Sequence, residues 1–108
     1  MKGKWILATS ALVYTAGAQM APMANEFMKA MEVSMTTMDK GMTEAPMNGY
    51  ADHDFATMML AHHQGAIDMA KAELSYGKDP VMRRLAQEIL VDQQSEIDAM
   101  NLWLKKRP

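Results

Sequence analysis

Within four residues, Gly77-Lys78-Asp79-Pro80, the chain carries both a helix stop and a helix start. Glycine terminates helices, aspartate accepts hydrogen bonds from the first free N–H groups of the next one, and proline at the first helical position lacks only an N–H that would be unsatisfied anyway. On both sides of this break, apolar residues recur at three- and four-residue spacing, the period of a helix with one buried face. The stretch therefore folds as a long antiparallel hairpin. Its first helix runs from Ala51 or Asp54 to about Tyr76, with Asp52 or Asp54 as its cap, and its second from Pro80 to about Lys105. With the turn centred near Lys78, residues that face each other have numbers summing to about 156, since both helices rise equally per residue.

Upstream, Pro46 and Asn48-Gly49 mark a loop over Thr43–Tyr50. Before it, Met28, Met31, Met35, Met38 and Met42 alternate at spacings of three and four, which predicts an amphipathic helix from Asn25 to about Gly41. The fold class that follows is all-α: a small bundle of three main helices.

The seam is unusual in being built of methionine. The chain has 14 Met but 8 Leu, and ten of those Met fall between Met20 and Met59. Methionine fills cores but specifies packing poorly. Five in register without one Leu offer a row of soft sulfur positions beside whatever packing they provide.

Residues 1–18 read as a secretory signal peptide. Lys2 and Lys4 form the positive region, Trp5–Ala18 is apolar or small, and Ala16-Gly17-Ala18 supplies the small-x-small cleavage pattern. The apolar run of 14 residues is short of the roughly 20 that span a bilayer. Residues 19–24 are then a Pro-containing lead, and residues 25–108 are the Met-rich helical domain. Loss of Lys2 and Lys4 takes the formal charge from −2 to −4. An acidic chain without a basic run is not built for nucleic acid. The absence of cysteine suits an exported protein, the periplasm being the expected compartment. A mature chain this short and free of disulfides needs well-packed helices, self-association or a bound ion for stability, so a homo-oligomer is expected, with membrane contact only through an uncleaved signal segment.

The chemistry concentrates in Met58–Ala70, MMLAHHQGAIDMA. On a helix, Met58 and Met59 stand one turn before His62, with His63 beside it. Thioether sulfur and imidazole nitrogen together suit a soft ion, Cu(I) above all. At about 100° per residue, Phe55, Met58, Met59, His62, Ala66, Met69, Ala70 and Glu73 share one broad face, with His62 near its centre and His63 at its edge. Gly65 and Ala66 leave room there for a neighbouring helix or a ligand. The hairpin register sets His62 level with Gln93 and Glu96, the two polar residues that interrupt the apolar face of the last helix, and Met58 and Met59 level with Met100. Glu96 or Gln93 is expected to hold the His62 ring from behind, as the partners of metal-bound imidazoles do. The ligand set this favours is Met58 or Met59, His62 and Met100; Met69 lies about 10 Å farther along the helix and belongs to the core or to a second site.

The run MMLAHHQGAIDMAKAEL, preceded by Asp52-x-Asp54-Phe55 and followed by Asp92-Gln93-x-x-Glu96-Ile97-x-x-Met100-x-x-Trp103-Leu104, resembles the domain-of-unknown-function 305 family. The resemblance implies a ferritin-like helical bundle and an exported copper-binding protein of copper resistance or homeostasis. Carried over by position, it implies Met58, Met59, His62 and His63 as ligands, with Met69 and Met100 as further ones and a second subunit or the first helix completing the site. Met28, Met31, Met35, Met38 and Met42 are auxiliary metal positions, and silver should bind wherever Cu(I) does. An exported copper protein or a copper transporter is the expected exchange partner. The alternative from another class is a Met-lined groove that takes an apolar peptide or protein without metal. An enzyme is not expected: di-iron bundles use Glu-x-x-His pairs, which do not occur in this chain, and there is no cysteine and no evident Ser-His-acid set.

Overall fold

The computed structural model describes residues 14–107, with side chains from residue 25 onward. Those residues form three helices and no strand: α1 Tyr14–Thr43, α2 Ala51–Tyr76 and α3 Pro80–Lys106. The protein is all-α, with α2 and α3 joined as the expected antiparallel hairpin. Asp79 is the N-cap of α3, accepting from Val81 N at 2.9 Å and Met82 N at 3.0 Å, with Pro80 at the first helical position. Gly77 ends α2 with φ −71° rather than in the left-handed region, its N–H donating to Glu73 O. The Glu73 carboxylate folds over Gly77 where a Cβ would stand, and it would have to swing aside for any larger residue.

Two local expectations change. Helix α1 starts at Tyr14 and passes through Pro22, so the lead over residues 19–24 is helical, as are the last five residues of the expected signal segment; the rest of that segment lies outside the described residues. Residues 14–24 are rich in Ala and Met, good helix formers whose propensity runs past the single proline. Asp52 and Asp54 do not cap α2, since the helix begins at Ala51 and both already lie inside its first turn. Asp54 instead reaches back into the loop, accepting from Asn48 N at 2.9 Å and Gly49 N at 3.1 Å, where Gly49 takes φ 87°. Thr57 Oγ1 donates to Pro46 O at 2.7 Å and fastens the other end of the same loop.

Helix α2 packs against α1 and α3, which do not approach each other. On the α1 side the backbones come close through small residues. A Cβ on Gly41 would lie 2.9 Å from Ala61 Cβ, and one on Gly65 would lie 2.7 Å from Met38 Cβ. On the α3 side, Ala56, Met59, His63, Ala66 and Ala70 meet Met100, Glu96, Ile89 and Ala86. These two stripes are roughly 160° apart around α2 at 3.6 residues per turn. The helices therefore lie side by side in one layer with α2 in the middle.

A single layer cannot surround anything. The buried hydrophobics are Ala56, Ala70, Ala72, Ala86 and Ile67, and no large side chain among the described residues is fully buried. The two surfaces of the layer differ. One carries Gln64, Lys71 and Ser75 of α2 and Gln94 and Asp98 of α3, with Gln64 donating to Asp68 and Gln94 to Asp98. The other carries Met28 and Met35 of α1, Phe55, His62 and Met69 of α2, and Met82 and Leu85 of α3, the two sets being placed by the helical period and the antiparallel packing.

Candidate metal centre

The α2–α3 seam holds the candidate site. At the level of His63 a pocket is lined by Phe55, Met59, His63, Gln93, Glu96, Ala99 and Met100. Two thioethers, an imidazole, an amide and a carboxylate thus converge between two helices. The register is the expected one: His63 faces Glu96, Ala56 faces Met100 and Ala70 faces Ala86, pairs whose numbers sum close to 156.

The histidine is not the expected one. His62 is exposed, and it is His63 that turns into the seam, with its Nε2 2.5 Å from Glu96 Oε2. One residue turns the side chain by about 100°, and that step moves His62 out of the α3 stripe onto the open apolar surface. The sequence periodicity predicts one broad face on α2 with the packing at its middle. In the structure α2 has two packing stripes on opposite sides, and that middle is the surface left uncovered.

His63 contains an unbalanced feature. Its side chain is 15 % exposed, and Nδ1 is buried without a hydrogen-bond partner among the described residues, as is Gln93 Oε1. Against a carboxylate oxygen, Nε2 must carry a proton, since two lone pairs would repel. In the neutral ring that leaves an unshared lone pair on Nδ1. A buried acceptor without a donor costs about 1–3 kcal/mol relative to a satisfied one. A ligand for which Nδ1 supplies electrons removes that cost, and Glu96 at Nε2 fixes the orientation of the ring.

The other expected ligands are dispersed. Met58 falls toward α1. Met69 lines a second groove on the seam with Ala66, Ala70, Glu73, Met82, Leu85, Ala86 and Ile89. In the α1 seam, Met31, Met38 and Met42 are half-buried while Met28 and Met35 are exposed. Among the described residues no three of His, Cys, Asp and Glu come together as a metal cluster; the side chains that line the pocket with His63 include the thioethers of Met59 and Met100. The third histidine, His53, sits with Nδ1 2.9 Å from Asp54 Oδ1 and serves the loop. That hydrogen bond, followed by those from the Asn48 and Gly49 backbone, holds the Asp54 carboxyl below its usual pKa.

The family model described as Domain of unknown function (DUF305) matches residues 3–104, nearly the whole chain. The chain belongs to the DUF305 family. This DUF305 protein is also similar to the uncharacterized protein L153 of Acanthamoeba polyphaga mimivirus, 39 % identical over 56 residues, which are 52 % of this chain and 37 % of the viral protein. Neither description names a ligand or an activity.

Proposed function

We propose that this DUF305 protein is an exported copper-binding protein that sequesters or relays Cu(I), with Met59, His63 and Met100 as its central donors. The observation that carries the proposal is the buried, unpartnered Nδ1 of His63 in a pocket whose other soft atoms are two methionine sulfurs. Thioethers are neutral and polarisable and favour Cu(I) over hard divalent ions, while imidazole strengthens the site without adding charge. Silver(I) follows the same preference. Glu96 orients the ring, and Gln93, whose Oε1 is buried without a hydrogen-bond partner, lines the same pocket. The periplasm is the compartment this reading implies, from the amino-terminal signal pattern, the lack of cysteine and the choice of Met and His as donors. The exposed methionines of α1 act as weak positions that collect the ion, and another exported copper protein or a transporter is the source or recipient.

The test is an anaerobic Cu(I) titration of the full chain against a competing chelator. His63→Ala is expected to weaken the site at least 10-fold, Met59→Ala and Met100→Ala to weaken it by a similar order, and His62→Ala to leave the tightest site within a few-fold. Undiminished affinity in His63→Ala removes this site. No competition with the chelator removes the function.

A further inference from the structure

The surface of the layer that carries His62 exposes large apolar side chains on all three helices, with the carboxylates of Glu73 and Asp92 placed among them by the helical period. Met28 is 52 % exposed, Phe55 64 %, Met82 47 % and Leu85 46 %. Such a surface on a chain whose buried hydrophobics are four alanines and Ile67 among the described residues is a core with one half missing. Its size follows from the helices. The 26 residues of α2 span about 39 Å and three helices side by side about 25–30 Å, giving on the order of 1,000 Å² per copy, where a stable specific interface needs about 800 Å² from each partner.

The shape indicates the occupant. Phe55 projects seven residues before His62, and the open groove lined by Ala66, Met69, Leu85 and Ile89 is centred near Met69, seven residues after it. Both lie on the α2–α3 seam, each about 10 Å from the level of His62. A knob and a hole equidistant from one point, on one surface, are what a two-fold contact requires. A membrane surface fits poorly: the helical period brings Glu73 and Asp92 to this face and, as a base, Lys106 at the end of α3, where interfacial helices use rows of Lys and Arg against anionic headgroups, and no described helix is long and apolar enough to cross a bilayer.

We propose that a second copy of this chain closes this face. The two layers stack with α2 antiparallel to the α2 of the other copy, about a two-fold axis between the layers and across the helices at the level of His62. Phe55 of each copy enters the other's groove beside Met69 and Leu85. His62 and Glu96 of both copies come to the level of the axis, so each carboxylate meets imidazoles as well as its counterpart.

The proposal is independent of copper, and the experiment is run with chelator present so that the two readings fail separately. Sedimentation equilibrium of the full chain is expected to give a dimer. Leu85→Glu and Phe55→Glu are each expected to weaken dimerisation at least 100-fold, the effect of losing a central anchor. Val91→Glu, on an equally exposed valine pointing away from this face (69 %), is expected to leave it unchanged. The chain has no cysteine, so in a second measurement His62→Cys is expected to give a covalent dimer on oxidation of the paired thiols by diamide, and Ser75→Cys, on the polar surface, to give none. A monomeric parent chain, as expected if an apolar peptide or another protein covers the face, overturns the proposal. So does dissociation by Val91→Glu rather than Leu85→Glu, or cross-linking through Ser75→Cys rather than His62→Cys. Dimerisation that survives Phe55→Glu overturns the antiparallel register. If Leu85→Glu or Phe55→Glu does not fold, the cysteine pair decides.

Discussion

Gly65→Ala tests how closely α1 and α2 approach. An added Cβ would stand 2.7 Å from Met38 Cβ, 2.7 Å from Met38 Sδ and 2.8 Å from Met38 Cγ. The sulfur can swing aside, but Met38 Cβ is fixed to the α1 backbone, so the helices must move apart or tilt. Overpacking of this kind costs about 1–3 kcal/mol. Alanine for glycine inside a helix returns about 1 kcal/mol through propensity. With the Cβ–Cβ conflict unrelieved, the net is a loss of up to about 2 kcal/mol, which for a domain of this size lowers the melting midpoint by up to roughly 10 °C. The decisive background is Met38→Gly, which removes every atom in the conflict. There, Gly65→Ala should stabilise by about 0.5–1 kcal/mol, reversing its sign. Circular-dichroism melts of the four proteins at one fixed concentration give the comparison, since any self-association makes the midpoint concentration-dependent. Stabilisation by Gly65→Ala in the parent chain, or the same sign in both backgrounds, would show that the backbones do not meet at this point.

Other perturbations probe other parts of the molecule. Asp79→Ala removes the acceptor for the Val81 and Met82 N–H groups and is expected to cost about 1 kcal/mol, read as a lower urea midpoint with an unchanged slope. The His53 hydrogen bond, with those from the Asn48 and Gly49 backbone, holds the folded Asp54 carboxyl below the usual carboxylate range. Its contribution is therefore complete above the unfolded pKa and is lost as pH falls through the folded one. Asp54→Asn should accordingly lower stability at neutral pH and flatten the acid limb of a pH–stability curve below about 4. Glu96→Gln keeps an acceptor near His63 but removes its charge, and should weaken Cu(I) binding by about 10-fold in chelator competition with little effect on the apo melt.

Much of the fold was legible because it is encoded locally. The Gly77–Pro80 punctuation set the hairpin, and equal helical rise set its register within one or two residues. The cap of α2 was misplaced because two aspartates near a helix start look alike in sequence, whereas only tertiary contacts show that Asp54 is committed to the loop at Asn48 and Gly49. The start of α1 was misplaced because Pro22 reads as a boundary. The site was legible in residue type and level but not in azimuth. His62 and His63 differ by about 100°, and choosing between them needs the direction of α3 around α2. The small residues Ala61, Gly65 and Ala72 carried that information, since they mark a second packing stripe. With α1 assigned to that stripe, α3 must take the opposite one, which contains His63.

The same geometry makes stability and metal chemistry separable along one helix. Gly65 and His63 are two residues apart, about 200° around α2, and their partners, Met38 on α1 and Glu96 on α3, belong to helices that do not approach each other. Perturbations in the two seams share no contact and should add to within about 0.3–0.5 kcal/mol. Gly65→Ala is then expected to lower the melting midpoint while changing Cu(I) affinity less than about two- to three-fold, and His63→Ala to do the reverse. Both can be measured on the same four chains: parent, each single variant and the double. A large coupling in either quantity would mean that α2 transmits strain between its two seams as a rigid rod. In that case the Met-rich α1 seam would bear on the proposed copper pocket through the position of α2, without any of its sulfurs reaching the ion.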